Sequence, residues 1–376
     1  MHNEIKNLIE RLNNGEAFEV VQKDFAEKFS SVSAQEILDA EQQLIKEGTP
    51  AAQVQKLCDL HSALFHTEHA HSVEEFDFDS LEDGHPAKTF HLENVALEKF
   101  LDALETFEAE KFLGEFRKLF GLYAHYGKKE QLFMTVLYRH GVAGPSQVMW
   151  AVDDEIKKDL SGLAKKVTAE NFSEHKAELD ALLKRIREMI FKEEKIFLPL
   201  SLKNFEQEEW LAVYADSFEY GTAFLEKVPT WAAGEEFLRS QTVDFKNISN
   251  DKIEFATGAL TLAQLDGIFK ILPVDITFID ADDTIKFFLN NGGIFARPKS
   301  SLGQKVFEYH PPEILPMVRA MLSDFKAKKR DCVEIFRKIK GKPTSVVYRA
   351  VYGEGGEYLG TVEFVQDFSD ATKNFS

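Results

Sequence analysis

Apolar positions in the first 72 residues recur at helical spacing. Ile5, Leu8, Ile9 and Leu12 form one stripe, and Gly15 follows as a stop signal. Ser33 and Glu36 read as a capping box for AQEILDAEQQLIKEG, and Thr49-Pro50 opens a third helix carrying LCDLHSALF. A small helical domain is expected over 1–72. Beyond the acidic stretch EEFDFDSLEDG, helical periods run at about 85–108, 110–140, 146–167 and 172–200, with Pro199 closing the last. Long helices with short connections predict an up-and-down four-helix bundle over 80–205. A helical extension and linker is expected over 206–258.

From 262 the period shortens. LTLAQLDGIFKIL still reads as a helix, whereas VDITFIDADDTIKFF reads as two strands around an Asp-rich turn. After a helix at about 312–328, VEIFRKIKG and TSVVYRAVYGEGGEYLGTVEFVQDF read as three antiparallel strands, with GEGG as a hairpin loop. Helices flanking an antiparallel sheet predict an α+β domain over 262–372, with Phe278, Ile285, Val347, Val362 and Phe364 as its core. The fold class is therefore multidomain, α followed by α+β.

A formal net charge of −18 opposes phosphate backbones and anionic membranes, so no nucleic-acid partner is expected. The cysteines are Cys58 and Cys332, too few for a disulfide framework. MHNEIKNLIE lacks an apolar signal core, and no apolar run reaches membrane-spanning length, so no membrane insertion and a cytoplasmic location are expected.

Of the 11 histidines, eight fall between His61 and His140, which concentrates candidate chemistry in the first half. The first bundle helix offers His85, His91 and Glu93; the second His125, Glu130 and His140; the third Asp153, Asp154 and Glu155; the fourth Glu193 and Glu194 within an apolar run. Bundle cores that hold two metals take His and carboxylate side chains from all four helices. Acids between Phe191 and Ile196 need a compensating positive charge on a dry face. His125 and Glu130 stand five apart, about 140° around a helix, where ligands for one metal normally use the closer four-residue spacing. From the residues alone, a metal site and solvated acids both remain open.

GHPAKTFHLEN, HYGKKEQLF, VMWAVDDEIK and FKEEKIFLP resemble the hemerythrin-like, or HHE cation-binding, family over about 80–205. The resemblance implies a centre of two non-haem iron ions that binds oxygen or responds to oxidants and nitric oxide. Carried over by position, it implies His85, His125 and Glu193 as ligands, with Glu130, Asp153 and Glu194 as further metal candidates. Lys129 stands where the second-helix glutamate usually lies, Asp153 where many members have histidine, and Met189 where the fourth-helix histidine lies. The expectation is that Lys129 keeps its ammonium in solvent while Glu130 supplies the carboxylate. A carboxylate-rich site favours the ferric state over reversible oxygen carriage.

EGTPAAQVQKLCDLH resembles the DUF-438 helical domain, and LPVDITFIDADDTIKFF through GEYLGTVEFVQDF resembles a PAS domain. The latter implies a pocket for a small ligand or haem, with His310 facing it, and homodimerisation. Cys58-x-x-His61 is read as a buried thiol and a helix histidine rather than a ligand pair. No kinase, cyclase or DNA-binding output is expected after the PAS segment. The expected function is a non-haem iron sensor of oxygen, nitric oxide or redox state, signalling through an unknown protein partner. A di-iron enzyme or iron-sulfur repair and oxidant-detoxification factor is one rival, and a metal-free interaction scaffold is another.

Overall fold

The computed structural model describes residues 76–142, 144–240, 252–291 and 293–375, together with 14–29 and positions 4, 7, 8, 11, 12, 43 and 44. The Ser33–Glu36 cap, the helix opened by Thr49, and the Cys58–His61 pair lie outside the described residues. The chain divides into two compact units, 1–235 and 236–376. No described helix is long and apolar enough to cross a membrane.

In the first unit, Gly15 turns the chain with φ of 86° before helix α1 (Phe18–Phe29). The bundle begins with α2 (Pro86–Glu105), started by His85 as its cap and by Pro86 in the first turn. Its second arm is segmented into α3 (Ala109–Phe116), a 3₁₀ turn, α4 (Leu122–Lys128), a π-turn at Lys129–Phe133, and α5 (Met134–Arg139). The third arm is α6 (Gly144–Lys166). The fourth is α7 (Phe172–Lys192), a second π-turn at Glu193–Phe197, and α8 (Leu198–Asn204). Helix α2 packs on α7 and α8, and α6 on α4, α5 and α7.

Pro199 does not close the fourth arm as expected. It falls in the first turn of α8, just after the π-turn, and the helical path runs on through it. The arm therefore continues to Asn204. Helices α9 (Gln207–Ser217) and α10 (Ala232–Ser240) follow.

In the second unit, the hairpin β1 (Lys252–Phe255) and β2 (Gly258–Thr261) leads into α11 (Leu262–Ile271), capped by Thr261 and Gln264. Strands β3 (Asp275–Asp280), β4 (Ile285–Leu289), β5 (Cys332–Ile339), β6 (Lys342–Tyr352) and β7 (Tyr358–Asp367) form an antiparallel sheet of order β4-β3-β7-β6-β5. Helix α12 (Leu315–Lys326) covers it, and α13 (Ser369–Phe375) ends the chain. This is the expected α+β architecture.

The face turned to the core differs from expectation. Ile285 is buried, but Phe278, Val347, Val362 and Phe364 lie half-buried on the opposite face. The core is built from Ile279, Val346, Tyr348, Val365, Val318, Leu322 and Phe325. Side chains alternate faces, so apolar residues at successive positions leave the register open. Thr277 and Glu363, which are buried and face each other in the β3–β7 pair, give the core face a polar look in sequence.

Gly360 lets β7 cross β3 closely: its φ is 153°, and a Cβ would lie 2.2 Å from the Ile279 carbonyl oxygen. Gly360→Ala is expected to cost about 3 kcal/mol or more of stability, read as a lower denaturation midpoint.

Candidate metal centre

Helical spacing decides which side chains enter the bundle core. Positions four apart differ by about 40° and five apart by about 140°. His125 and Lys129 accordingly share the inward face, and both are fully buried. Glu130 turns towards α6. On α2, Glu93 and Asn94 sit on the stripe of Phe90, Leu97 and Leu101 and are buried with them.

The His125 ring is held from both sides. Nδ1 lies 2.7 Å from Glu93 Oε2 and Nε2 lies 3.3 Å from Glu193 Oε2, while the Phe90 ring stacks on it at 4.0 Å. Burial disfavours the imidazolium, but Glu193 and Glu93 outweigh burial and raise its pKa. Lys128 donates to Glu93. The Lys129 ammonium donates to Asp153 Oδ1 at 2.8 Å and Glu193 Oε1 at 2.5 Å, and lies 4.3 Å from the centre of the Tyr126 ring. Burial opposes that charge, yet Asp153 and Glu193 hold the lysine protonated. The carboxylates Glu93, Asp153 and Glu193 thus face Lys128, Lys129 and His125.

One carboxylate is incompletely matched. Burial pushes the Asp153 carboxyl well up; Lys129 opposes this, and Glu130 and Glu193 add to it. Asp153 Oδ2 and the Tyr126 hydroxyl are buried without a hydrogen-bond partner. The donor types therefore suit a hard cation: the carboxylates of Asp153 and Glu193, with one Asp153 oxygen unused, and the imidazole of His125. Among the described residues, no three His, Cys, Asp or Glu side chains stand as a metal-holding group, and an ammonium bridges Asp153 and Glu193.

The remaining expected ligands lie elsewhere. Glu130 accepts from Lys157 at 2.8 Å, and Lys157 pairs with Asp154 at 2.7 Å. Glu194 receives His91 Nδ1 at 2.7 Å and Asn94 at 2.8 Å, with Phe78 stacked on His91. His85 accepts from the Ala87 N–H through Nδ1 at 3.2 Å and sits between Trp210 and Trp231. Burial lowers the His85 pKa to about 4. Gly84 admits that tryptophan, since a Cβ there would meet the Thr230 carbonyl carbon at 2.3 Å. In the second unit, His310 Nδ1 lies 2.8 Å from the Val306 carbonyl, and burial followed by Arg297 lowers its pKa. The expected roles of Lys129 and Glu130 are thus exchanged: the lysine enters the core and the glutamate pairs beside it.

Residues 64–201 match the hemerythrin HHE cation binding domain. The bundle is hemerythrin-like. Residues 5–70 match DUF438, a family of unknown function, and 265–369 match a PAS domain. The chain thus combines DUF438, hemerythrin HHE and PAS segments, and a hemerythrin HHE domain implies cation binding. No curated protein matches the chain. Among solved structures, a C-terminal domain from Streptococcus mutans is 28% identical, covering 33% of this chain and 98% of that one, with a TM-score of 0.32. A sensory box sensor histidine kinase from Vibrio cholerae is 11% identical over 28% of this chain and 89% of that one, with a TM-score of 0.22.

Glu93, Lys128 and Lys129 are the hemerythrin-like core residues that the expected ligand set omits. Their signal is position on the apolar stripe, not residue type.

Burial, with Lys157 opposing and Asp154 adding, pushes the Glu130 carboxyl from 4.5 up to about 7. A carboxyl raised in the folded state contributes stability below its unfolded value and loses it as pH climbs through the folded value. The stability of the natural protein relative to Glu130→Gln should therefore fall by roughly 2–3 kcal/mol between about pH 4.5 and 7.5. Urea denaturation at a series of pH values measures this; a flat difference contradicts it.

Proposed function

We propose that the protein is a non-haem iron sensor. One iron ion is held by His125, Asp153 and Glu193, with Glu93 behind the His125 ring, and the PAS unit serves as a ligand-binding or dimerisation module. The observation that carries this reading is the unpartnered Asp153 Oδ2, fully buried in a cluster of carboxylates and one imidazole. A buried acceptor with nothing to accept from costs stability unless a further group completes it. Both π-turns begin at this level, one at Lys129 and one at Glu193, and such turns concentrate at functional sites.

The donor set gathered here suits one ion rather than the two that the wider resemblance implies. Bound there, iron would supply one-electron chemistry and a place for a diatomic ligand such as oxygen or nitric oxide. The chain's own residues do the rest. His125 presents a ring fixed by Phe90, Glu93 orients its far nitrogen, and Phe90, Phe133, Phe197 and Trp210 pack over one side of the cluster. In the PAS unit, Arg297 binds Glu363 at 2.6 Å and Thr277 at 3.0 Å beside the core. That polar interior favours a small polar ligand over haem.

Lysines 128 and 129 favour a second reading, a metal-free scaffold in which the ammoniums permanently balance the acids. Anaerobic iron loading with metal analysis and a visible spectrum separates the two. The sensor reading expects about one iron per chain, and an affinity that drops more than roughly tenfold in His125→Ala. Iron content indifferent to His125→Ala removes this assignment.

A further inference from the structure

The interior of the bundle contains a cation of its own. We propose that Lys129 is a tethered counter-ion that fills the metal position in the cation-free protein and must withdraw when a hard divalent cation enters. The inference rests on the cation-site reading above and concerns how that site is kept closed.

Lys129 is fully buried, and its ammonium bridges a carboxylate from α6 and one from the fourth arm. Asp153 and Glu193 belong to different arms, so Lys129 holds the position between arms where a bound ion would sit. The substitute is incomplete. The ammonium engages one oxygen of Asp153 and leaves the other buried and unpartnered. A lysine ammonium is a single charge on a flexible stem, whereas a divalent ion offers twice the charge and several coordination directions.

The local backbone suits an exchange. Lys129 and its partner Glu193 are each the first residue of a π-turn, so both helices are locally widened at the contact. The Tyr126 face, 4.3 Å from the ammonium, already helps to hold it in the bridging position, so the lysine stem must carry it away from ring and carboxylates together. Exchange conserves the ligands: Asp153 and Glu193 give up N–H donors and accept the metal, and no bond is made or broken covalently.

The test uses the full-length protein and two variants, Lys129→Gln and Lys129→Met, with Mn²⁺ as the probe under anaerobic calorimetry. Without added metal, both variants should melt below the natural protein, because Asp153 and Glu193 lose their counter-ion. Both should bind Mn²⁺ at least tenfold more tightly than the natural protein, and saturating Mn²⁺ should restore their melting temperature. If the variants fold only when Mn²⁺ is present, the proposal is supported more strongly; if they fail to fold even then, it is overturned. Equal or weaker Mn²⁺ affinity in folded variants overturns the proposal and leaves the cation-site reading standing. Absence of Mn²⁺ binding in the natural protein and in both variants overturns both.

Discussion

A lysine ammonium between Asp153 and Glu193, sealed from water, is the interaction on which the first unit depends. An unpaired charge in such a place costs several kcal/mol, and removing one partner of a buried pair typically costs about 3–5 kcal/mol. The surrounding structure meets that demand in order. His125 and Lys128 answer Glu93; His125 and Lys129 answer Glu193; aromatic rings fill the space beside them. Replacing such a network by apolar side chains is often neutral or stabilising. Stability alone therefore gives little reason for such a network in this place.

The other acids of the bundle are kept out of this cluster by geometry rather than by type. Glu130, one residue after Lys129, is rotated about 100° away and meets Lys157 instead. Glu194, one residue after Glu193, meets His91 and Asn94 at a half-exposed position. Glu193, Glu130 and Glu194, identical in type, therefore end in three different electrostatic environments. The first holds an ionised carboxylate in a balanced core, the second a carboxyl near neutrality, and the third a partly solvated ion pair.

The sequence carried the element order and the division into helical and α+β parts, because long periodic runs and capping residues are local signals. It also carried His125, Asp153 and Glu193 as members of one cluster. It did not show which neighbour of each pair turned inward. KKE and KEE offer charged residues at consecutive positions, and attention to histidine and acid hid the two lysines, while Glu93, named among the candidates, fell outside the ligand set. The stripe of Phe90, Leu97 and Leu101 passes through Glu93 and was legible in principle. The sheet failed for the same reason: Thr277 and Glu363 on the inner face and Phe278 and Phe364 on the outer inverted the usual polarity.

Both units bury an ion pair in an apolar interior, but they use different cations. In the α+β unit Arg297 donates to Glu363 through one nitrogen and to Thr277 through another, and its backbone is clasped to Asn290 at 3.2 and 2.9 Å. A planar guanidinium pinned at several points is a strut, because leaving would break all those bonds together. In the bundle the cation is a lysine, whose ammonium can rotate and retract along a four-carbon stem while its backbone stays helical. An arginine at position 129 would lock Asp153 to Glu193, whereas a lysine binds each through one flexible ammonium. Among the described residues of the bundle, this lysine faces a carboxylate, Asp153, whose second oxygen has no hydrogen-bond partner, so its ion pair is held less completely than that of Arg297.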